Sequence, residues 1–395
     1  MVQPPADPGG GVGPGGGRPG QVGSAAEDAA DRWPGGVATG VGSLPGTQPR
    51  EAVTLVAGEL PELPHLPELP NRGPGADLVG RTAGLLALVG EDFAVETTPL
   101  GWRIAGARSR VMRRAASWLD EDLDALQERF AGYTGLLKVA VAGPWTMAAQ
   151  LELRTGERAV RDVGACRDLA GAVAEAIAAH VADVRRRVPH ARLMVQLDEP
   201  SLPAVVAGSI ATASGLSRYP AIDLPAIEQH LGGVLAAAQQ AGAVPVVHSC
   251  AGGLPWSVLW RAGAAAVSVD LDTVTEADHA ELAECVDAGL RLVLGVVPAV
   301  DGPLAGVTAT VGRVQRWWRR LGLDDDQLAP AVALSPSCGL AHASPAWPRR
   351  AYGACRAVAR ALRDEPGRPD VAEGLSGNSA GQQRRSGQYG APGRR

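Results

Sequence analysis

Two segments of this sequence end in side chains that could hold a metal ion. The apolar run 244–250 ends in His248 and Cys250, and the apolar run 331–335 is followed by Cys338. Residues two apart on a strand point to the same side, so His248 and Cys250 could ligate one ion together. Imidazole and thiolate ligands select zinc over magnesium or calcium. The pattern therefore indicates a zinc site, provided that Cys338 and a carboxylate lie close by.

The same residues could instead have a purely structural role in the core. Free cysteine is among the most buried residue types, so Cys250 and Cys338 could be small core residues and His248 a hydrogen-bonded core histidine. An H-x-C motif is a two-residue signal, and its spacing alone does not decide the matter. The other cysteines lie in helical patterns and are interpreted as core residues: Cys166, Cys285 and Cys355.

Acidic residues end two further apolar runs. Asp198 and Glu199 close the run 192–198, and Asp270 closes the run 265–270. If the strands are parallel, their carboxyl ends open on one face, where barrel enzymes place their reactive groups. These acids are therefore candidates for binding substrate or metal, with a solvated loop and a capping aspartate as the structural alternative at Asp198 and Glu199.

Apolar, β-branched runs alternate with helical patterns along the chain. Runs buried on both faces that alternate with helices imply a parallel sheet, and eight such units predict an α/β fold of the (β/α)8 TIM barrel type. A doubly wound sheet is the alternative, although no G-x-G-x-x-G enters a helix after the first strand and no P-loop motif occurs. The predicted strands are 36–43, 93–98, 137–143, 192–198, 244–250, 265–270, 291–297 and 331–335.

One amphipathic helix is predicted over 161–187, and one proline-rich segment is predicted to be extended. The helix has its apolar side chains at helical spacing. The segment LPELPHLPELP at 60–70 has prolines too frequent for a helix, so we expect an ordered extended loop. The apolar side of the helix consists of Val163, Cys166, Leu169, Val173, Ile177 and Val181.

Composition predicts a single folded domain between two disordered tails. Residues 1–32 are rich in Gly and Pro, and residues 364–395 lose all periodicity, so neither segment carries enough apolar surface to fold. The domain is predicted over 33–363. Long apolar stretches of roughly 18 residues are absent, and the N-terminus lacks a signal-peptide pattern, which together predict a cytoplasmic protein.

Charge gives no reason to expect nucleic acid or a membrane as a partner. The 395 residues include 37 basic and 42 acidic side chains, for a net charge of -5. Lys138 is the only lysine, all other basic side chains being arginine, and this bias by itself indicates no function. Five cysteines are too few for a disulfide framework and are expected to be reduced.

Taken in order, the motifs resemble the C-terminal catalytic barrel of cobalamin-independent methionine synthase, and more closely its short single-barrel relatives in bacteria and archaea. The resemblance covers nearly the whole predicted domain and includes no second, N-terminal barrel. Each motif alone is weak, whereas their ordered combination is fairly specific. The motifs are VGSLPGT at 41–47, QLDEPSL at 196–202, HSC at 248–250, the strand ending in Asp270, and SPSCGL at 335–340.

The resemblance implies roles for individual residues. His248, Cys250 and Cys338 match zinc ligands, and Asp270 stands where the family has a glutamate ligand. Ser43 matches the loop whose backbone holds the homocysteine carboxylate, and its glycine-rich surroundings expose N–H groups suited to a small anion. Asp198 matches the acid that holds the homocysteine amino group, and Glu199 is a further candidate at the rim for binding substrate.

The activity that the resemblance implies is zinc-dependent methyl transfer to a small thiol, homocysteine. A free thiol has a pKa of about 8.5 and is mostly protonated at neutral pH, whereas a zinc-bound thiol is deprotonated outright and becomes the nucleophile. The expected partners are therefore the thiol substrate and a methyl donor, either a folate or a methylcorrinoid carrier. Zinc is the expected cofactor.

Three departures from the family pattern concern the donor and substrate pockets. A glutamate is expected just before ADLVGRTAGLL, where this sequence reads NRGPG with Arg72 and no carboxylate. A histidine is expected near Val300 and is missing. The segment after Trp145 reads MAAQLEL, without the aromatic residue expected beside a folate. The departures weaken the assignment of a folate donor more than that of the zinc site.

Two alternative functions remain at this stage. A metal-free decarboxylase of the uroporphyrinogen type would hold substrate carboxylates with Arg72 and Arg81, but would leave the two rim cysteines without a task. A non-catalytic relative could keep the zinc and thiol site and lose methyl transfer. Metal content and product formation separate these functions from the leading hypothesis.

Overall fold

The computed structural model describes residues 33–90, 93–99, 101–212 and 214–364 of the chain. The predicted tail 1–32 lies outside the described residues. So does the C-terminal tail, except for its first residue, Asp364, which ends the last helix. None of the helices in the described ranges has both the length and the apolar composition needed to cross a bilayer.

Six parallel strands form the main sheet, in the order β3-β5-β6-β7-β8-β9. Strands β3 and β6 are buried along their whole length, as expected of apolar runs covered on both faces. Because the strands are parallel, their carboxyl ends lie along one edge. The strands are β1 (Val95–Thr98), β2 (Gly101–Ile104), β3 (Leu136–Ala142), β4 (Leu151–Glu152), β5 (Arg192–Asp198), β6 (Ala243–Ser249), β7 (Ala266–Asp270), β8 (Arg291–Val297) and β9 (Val332–Pro336).

Helices follow most of the strands and cover the main sheet, as α/β architecture requires. Cys166, Cys285 and Cys355 are buried in helices, which confirms their interpretation as core residues. The helices are α1 (Pro49–Glu59), α2 (Leu78–Val89), α3 (Arg110–Phe130), α4 (Pro144–Gln150), α5 (Val163–Arg187), α6 (Leu202–Val206), α7 (Leu224–Gln240), α8 (Trp256–Arg261), α9 (His279–Asp287), α10 (Val307–Arg320), α11 (Asp325–Ala331) and α12 (Trp347–Asp364).

Two extended segments lie beside the two edge strands. The backbone at Ala38 pairs in parallel with β9, and the backbone at His65 pairs in parallel with β3. The segments also contact each other, since Ser43 pairs with Glu68. The extended loop predicted at 60–70 is confirmed, and its prolines lack the N–H groups that a longer ladder would need.

The predicted α/β architecture with parallel strands is confirmed, and the number of regular strands differs from the prediction. Segment 36–43 forms isolated bridges instead of the predicted first strand. The main sheet therefore has six regular strands, with the two extended segments beside its edges, where a TIM barrel of eight strands was expected.

The strand predicted at 93–98 does not belong to the main sheet, and its assignment to the barrel is wrong. Its residues form β1, which pairs antiparallel with β2, and β2 pairs with β4. Only Val95 of β1 is fully buried. A strand of a sheet covered on both faces is buried throughout, so this pattern is that of a peripheral hairpin.

The long helix predicted at 161–187 is confirmed as α5. Its N-terminus is fixed by Asp162, whose side chain accepts a hydrogen bond from the backbone N–H of Ala165 at 2.8 Å. Five of the six residues expected on its apolar side are buried. The exception is Val163, the first residue of the helix, which is 78% exposed.

Candidate metal centre

An imidazole and two thiols meet at the carboxyl edge of the main sheet. His248 lies near the end of β6, Cys250 follows two residues later, and Cys338 lies on the loop after β9. Their potential ligand atoms all lie within 4.8 Å of one another. Cys250 Sγ is 3.4 Å from His248 Nε2. The structure therefore brings together three of the four predicted zinc ligands.

The imidazole of His248 is oriented by a hydrogen bond on its far side. Nδ1 lies 3.1 Å from the carbonyl oxygen of Ser268 and 3.0 Å from its hydroxyl. A proton on Nδ1 is donated to that carbonyl, which leaves the lone pair of Nε2 directed at the thiols. Metal-ligating histidines are held in this way, because the outer hydrogen bond fixes both the tautomer and the ring.

The pKa values of the two thiols of the cluster are shifted in opposite directions. The hydrogen bond from Cys250 lowers the pKa of the Cys338 thiol, with a smaller contribution from His248. The same hydrogen bond, together with burial, raises the pKa of Cys250. A divalent cation bound between the two sulfurs would displace their protons, because thiols ligate metals as thiolates. By contrast, burial raises the pKa of Cys166 and of Cys285 to about 11, as in unreactive core thiols.

Asp270, the fourth predicted ligand, is not part of the cluster. It ends β7, and its Oδ1 accepts a hydrogen bond from the backbone N–H of Asp272 at 3.0 Å. It thereby caps the short 3-10 helix Leu271–Thr273. An aspartate is one methylene shorter than the glutamate that the resemblance placed here. The short side chain favours the local cap, and the fourth ligand position is left open.

A cavity of about 340 Å³ opens beside the cluster. The three potential ligands form one part of its wall, and predicted substrate-binding residues form another. His342, which the sequence analysis did not single out, also lines it. The polar lining residues are Ser43, Glu68, Asp77, Asp198, His248, Cys250, Cys338 and His342.

Asp198 lies at the carboxyl end of β5, as predicted, and faces the cavity. Its side chain is buried, and burial raises the pKa of the carboxyl group, while His248, Gln196 and Lys138 act in the opposite direction. Gln196 Nε2 donates a hydrogen bond to Asp198 Oδ1 at 2.6 Å. The second carboxylate oxygen accepts no hydrogen bond from the described residues and is available to a ligand.

Glu68 is a second carboxylate in the cavity, and the sequence analysis missed it. The family pattern led us to expect a carboxylate in the NRGPG segment, but the structure supplies one from the extended loop four residues before Arg72. Burial raises the pKa of Glu68 to about 7, and Arg81, 3.5 Å away, opposes the rise. The sequence carries no signal for Glu68, because the loop has no periodicity; the bridge to Ser43 holds Glu68 beside the cavity.

Arg72 and Arg81 are occupied by a structural ion pair. Both guanidinium groups contact Asp122, Arg81 at 2.7 Å, and the side chains of all three residues are less than 10% exposed. Neither arginine lines the cavity. The residues that a metal-free decarboxylase would need for its substrate carboxylates are therefore bound to Asp122 and Glu68 in the described structure.

Glu199 has a structural environment and does not line the cavity. Its carboxylate accepts hydrogen bonds from the backbone N–H groups of Trp145 at 2.9 Å and Thr146 at 2.6 Å, and from the Thr146 hydroxyl at 2.7 Å. Burial raises its pKa to about 7. It holds the first turn of α4 against β5. Trp145 is itself buried, where it stacks on His230 with ring centroids 5.3 Å apart.

Ser43 lies in the wall of the cavity and is tied to the loop that carries Cys338. The carbonyl of Ser43 accepts a hydrogen bond from Leu340 N at 2.8 Å. A Cβ atom at Gly339 would lie 2.1 Å from the Ser43 hydroxyl oxygen, so a larger residue there would require the Ser43 side chain to move. The backbone hydrogen bond thus connects the loop of Ser43, the predicted substrate loop, to the loop of Cys338, a predicted metal ligand.

One solved structure supports the fold. A B12-independent methionine synthase from Shewanella sp. W3-18-1, in complex with selenomethionine, superposes with a TM-score of 0.53 at 14% identity, covering 84% of this chain and 98% of that chain. An oxaloacetate acetylhydrolase in complex with oxalate gives a TM-score of only 0.35 at 13% identity, covering 89% of this chain and 91% of that chain.

Sequence comparison identifies the family. No curated protein sequence matches this one. The family described as cobalamin-independent synthase, catalytic domain, matches residues 37–361, a range that contains every residue of the cluster and of the cavity wall. The chain therefore belongs to the family of cobalamin-independent synthase catalytic domains.

Proposed function

We propose that this chain is a zinc-dependent methyltransferase that methylates the thiol of homocysteine. The observation that carries the proposal is the convergence of His248, Cys250 and Cys338 beside a cavity that also contains two buried carboxylates. The cluster supplies a site for a thiol, and the carboxylates supply a site for an ammonium group. Homocysteine has both groups, separated by a short chain.

The donor set fits zinc. In a tetrahedral site with Zn–S distances of about 2.3 Å and Zn–N distances of about 2.0 Å, neighbouring ligand atoms are separated by roughly 3.5 to 3.8 Å. The ligand atoms here lie within 4.8 Å of one another, and the S···N pair lies at 3.4 Å. Three protein ligands with a fourth position open is the arrangement of a catalytic zinc site. Bound zinc would lower the pKa of the substrate thiol so that it is present as a thiolate.

The remaining wall of the cavity would hold the amino acid part of the substrate. Asp198 and Glu68 offer acceptors for its ammonium group, and the backbone N–H groups near Ser43 offer donors for its carboxylate. In the reaction, the substrate sulfur forms a bond to the methyl carbon as the bond from carbon to the donor breaks. The electron pair of that bond leaves with the donor. The Shewanella synthase that shares the fold holds selenomethionine, the selenium analogue of the proposed product.

The methyl donor is proposed as a folate or a methylcorrinoid carrier. Val300, where the family pattern has a histidine, is 55% exposed, and Trp145 is buried in helix packing. Neither Val300 nor Trp145 therefore supplies the contacts with a folate that the family pattern led us to expect. Purified zinc-loaded protein should be incubated with homocysteine and either methyltetrahydrofolate or methylcobalamin. Methionine formed from either donor supports the proposal, and failure with both, while homocysteine still binds, identifies a non-catalytic zinc and thiol protein.

The proposal also places the protein in the cytoplasm. All five cysteines are free in the structure, including the two of the cluster. Thiols persist unpaired in a reducing compartment, where metal binding and catalysis are their usual roles.

Replacing Asp198 with asparagine should weaken homocysteine binding and leave the metal in place. The substitution keeps the shape and removes the charge opposite the substrate ammonium, and a hydrogen bond to a charged group contributes about 1.5–3 kcal/mol. We therefore expect KM for homocysteine to rise about 10- to 100-fold at unchanged zinc content. Asp223→Asn is the matched control, because asparagine also caps the N-terminus of α7. An unchanged KM in Asp198→Asn would remove Asp198 from the substrate site.

A further inference from the structure

The only lysine of the chain is buried beneath the cavity. Lys138 lies in the middle of β3 and is 1% exposed. Its Nζ donates hydrogen bonds to the carbonyl of Val41, at 2.7 Å, and to Oε1 of Gln196. All other basic residues are arginine, so a lysine occurs only at this enclosed position. Its ammonium group contributes hydrogen-bond donors only.

Gln196 connects this lysine to Asp198. The two residues are two apart on β5 and therefore point to the same side, with Asp198 at the mouth and Gln196 one layer deeper. The amide of Gln196 is fully used. Its Oε1 accepts from Lys138, and its Nε2 donates to Val41 O at 3.0 Å and to Asp198 Oδ1 at 2.6 Å.

Lys138 permits only one orientation of the Gln196 amide. In the opposite orientation, the NH2 group would face the ammonium, and the amide oxygen would face both the Val41 carbonyl and the Asp198 carboxylate. Each of those contacts would join two donors or two acceptors in a buried site, where an unmade hydrogen bond is most costly. Without the lysine, Oε1 of Gln196 would lose its donor, and only the contacts of Nε2 with Val41 O and Asp198 Oδ1 would hold the amide in place.

We propose that Lys138 is a positioning residue that acts through Gln196 on Asp198. The fixed amide binds Oδ1 of Asp198 and leaves the second oxygen free for the ammonium group of an α-amino acid. The same lysine holds the Val41 carbonyl, two residues before Ser43, so it orders both sides of the amino acid site. The inference rests on the proposed function and adds to it the residue that preorganises the recognition of the ammonium group.

A double-mutant cycle on homocysteine binding tests the relay. The zinc-loaded full chain is compared with Lys138→Met, Gln196→Met and the double variant, by calorimetric Kd and by zinc content. We expect each single variant to bind homocysteine about tenfold more weakly and the double variant to lose no more than either one, since both changes break the same chain of contacts. Zinc content stays unchanged in all of them. Unaltered binding in Lys138→Met, or independent losses that multiply to about a hundredfold, overturns the relay.

A spectroscopic measurement covers the case in which Lys138→Met fails to fold or the wild type binds no homocysteine. Protein grown on lysine labelled with ¹⁵N at Nζ gives one ammonium signal, because the chain has one lysine. We expect that signal to shift in Gln196→Met and in Asp198→Asn. It should stay in place in Tyr219→Phe, which removes a partly buried hydrogen bond to Glu157 outside the cavity.

The two measurements distinguish the failure of the relay from that of the proposed function. A lysine signal that is identical in the wild type, Gln196→Met and Asp198→Asn overturns the relay whatever the substrate. A wild type that binds no homocysteine contradicts the proposed function, and the response of the signal to Asp198→Asn still decides whether Lys138 positions that carboxylate.

Discussion

Replacing Cys338 with serine should remove the metal and abolish methyl transfer. Serine has nearly the same shape, but its hydroxyl is not a thiolate, so the cluster loses one of its two sulfur ligands. We expect zinc to fall from about one ion per chain to below about one tenth, and methionine formation to fall at least about a thousandfold. Zinc is measured by plasma mass spectrometry after gel filtration, and methionine by chromatography.

Two variants serve as controls for the loss of zinc. Cys166→Ser is matched in chemistry, since Cys166 Sγ donates a hydrogen bond to Ala159 O at 3.4 Å, and a serine hydroxyl can do the same. Asp270→Asn tests the predicted fourth ligand, and it should retain its zinc because Asp270 caps the 3-10 helix that follows β7. A Cys338→Ser protein that keeps its full zinc content would contradict the metal centre.

Replacing Asp122 with alanine should strongly destabilise the fold. Asp122 is the shared partner of Arg72 and Arg81, and its side chain is only 3% exposed. Removing one partner of a buried ion pair leaves charge uncompensated and costs about 3–5 kcal/mol. We expect the free energy of unfolding in urea to fall by about that amount.

The exposed pair of Arg50 and Glu128 provides the control. Both side chains are more than half exposed, so Glu128→Ala should leave the unfolding midpoint where it is. Asp122→Ala with wild-type stability would mean that Arg72 and Arg81 find other partners. It would also reopen the assignment of these arginines to substrate carboxylates.

Residues on regular strands were the part of the site that sequence could predict. His248 and Asp198 follow directly from period-two alternation and from the parallel arrangement of β5 and β6, and Cys250 comes directly after β6. Strands β5 and β8 have the predicted bounds, because continuous apolar runs end where a proline or a polar residue follows. The local sequence pattern was sufficient to predict a site residue wherever its position along a strand decides the direction of its side chain.

Three features of the site required the three-dimensional structure: the position of Glu68, the local cap made by Asp270, and the contact of Lys138 with Gln196. Glu68 lies on a proline-rich loop with no periodicity, and only its bridge to Ser43 determines that it faces the cavity. The family glutamate at this position led to the prediction that Asp270 binds the metal. In the structure, its shorter carboxylate accepts a hydrogen bond from the backbone N–H of Asp272. Lys138 and Gln196 lie on different strands, and their contact depends on the register of β3 against β5, which the sequence does not specify.

The central claim is that one zinc ion held by His248, Cys250 and Cys338 binds the substrate thiol. X-ray absorption at the zinc K edge of the full chain, recorded before and after addition of homocysteine, tests it most directly. We expect two sulfur ligands at about 2.3 Å in the free protein and three after addition. A shell of nitrogen and oxygen alone, or a sulfur count that homocysteine does not change, would contradict the claim.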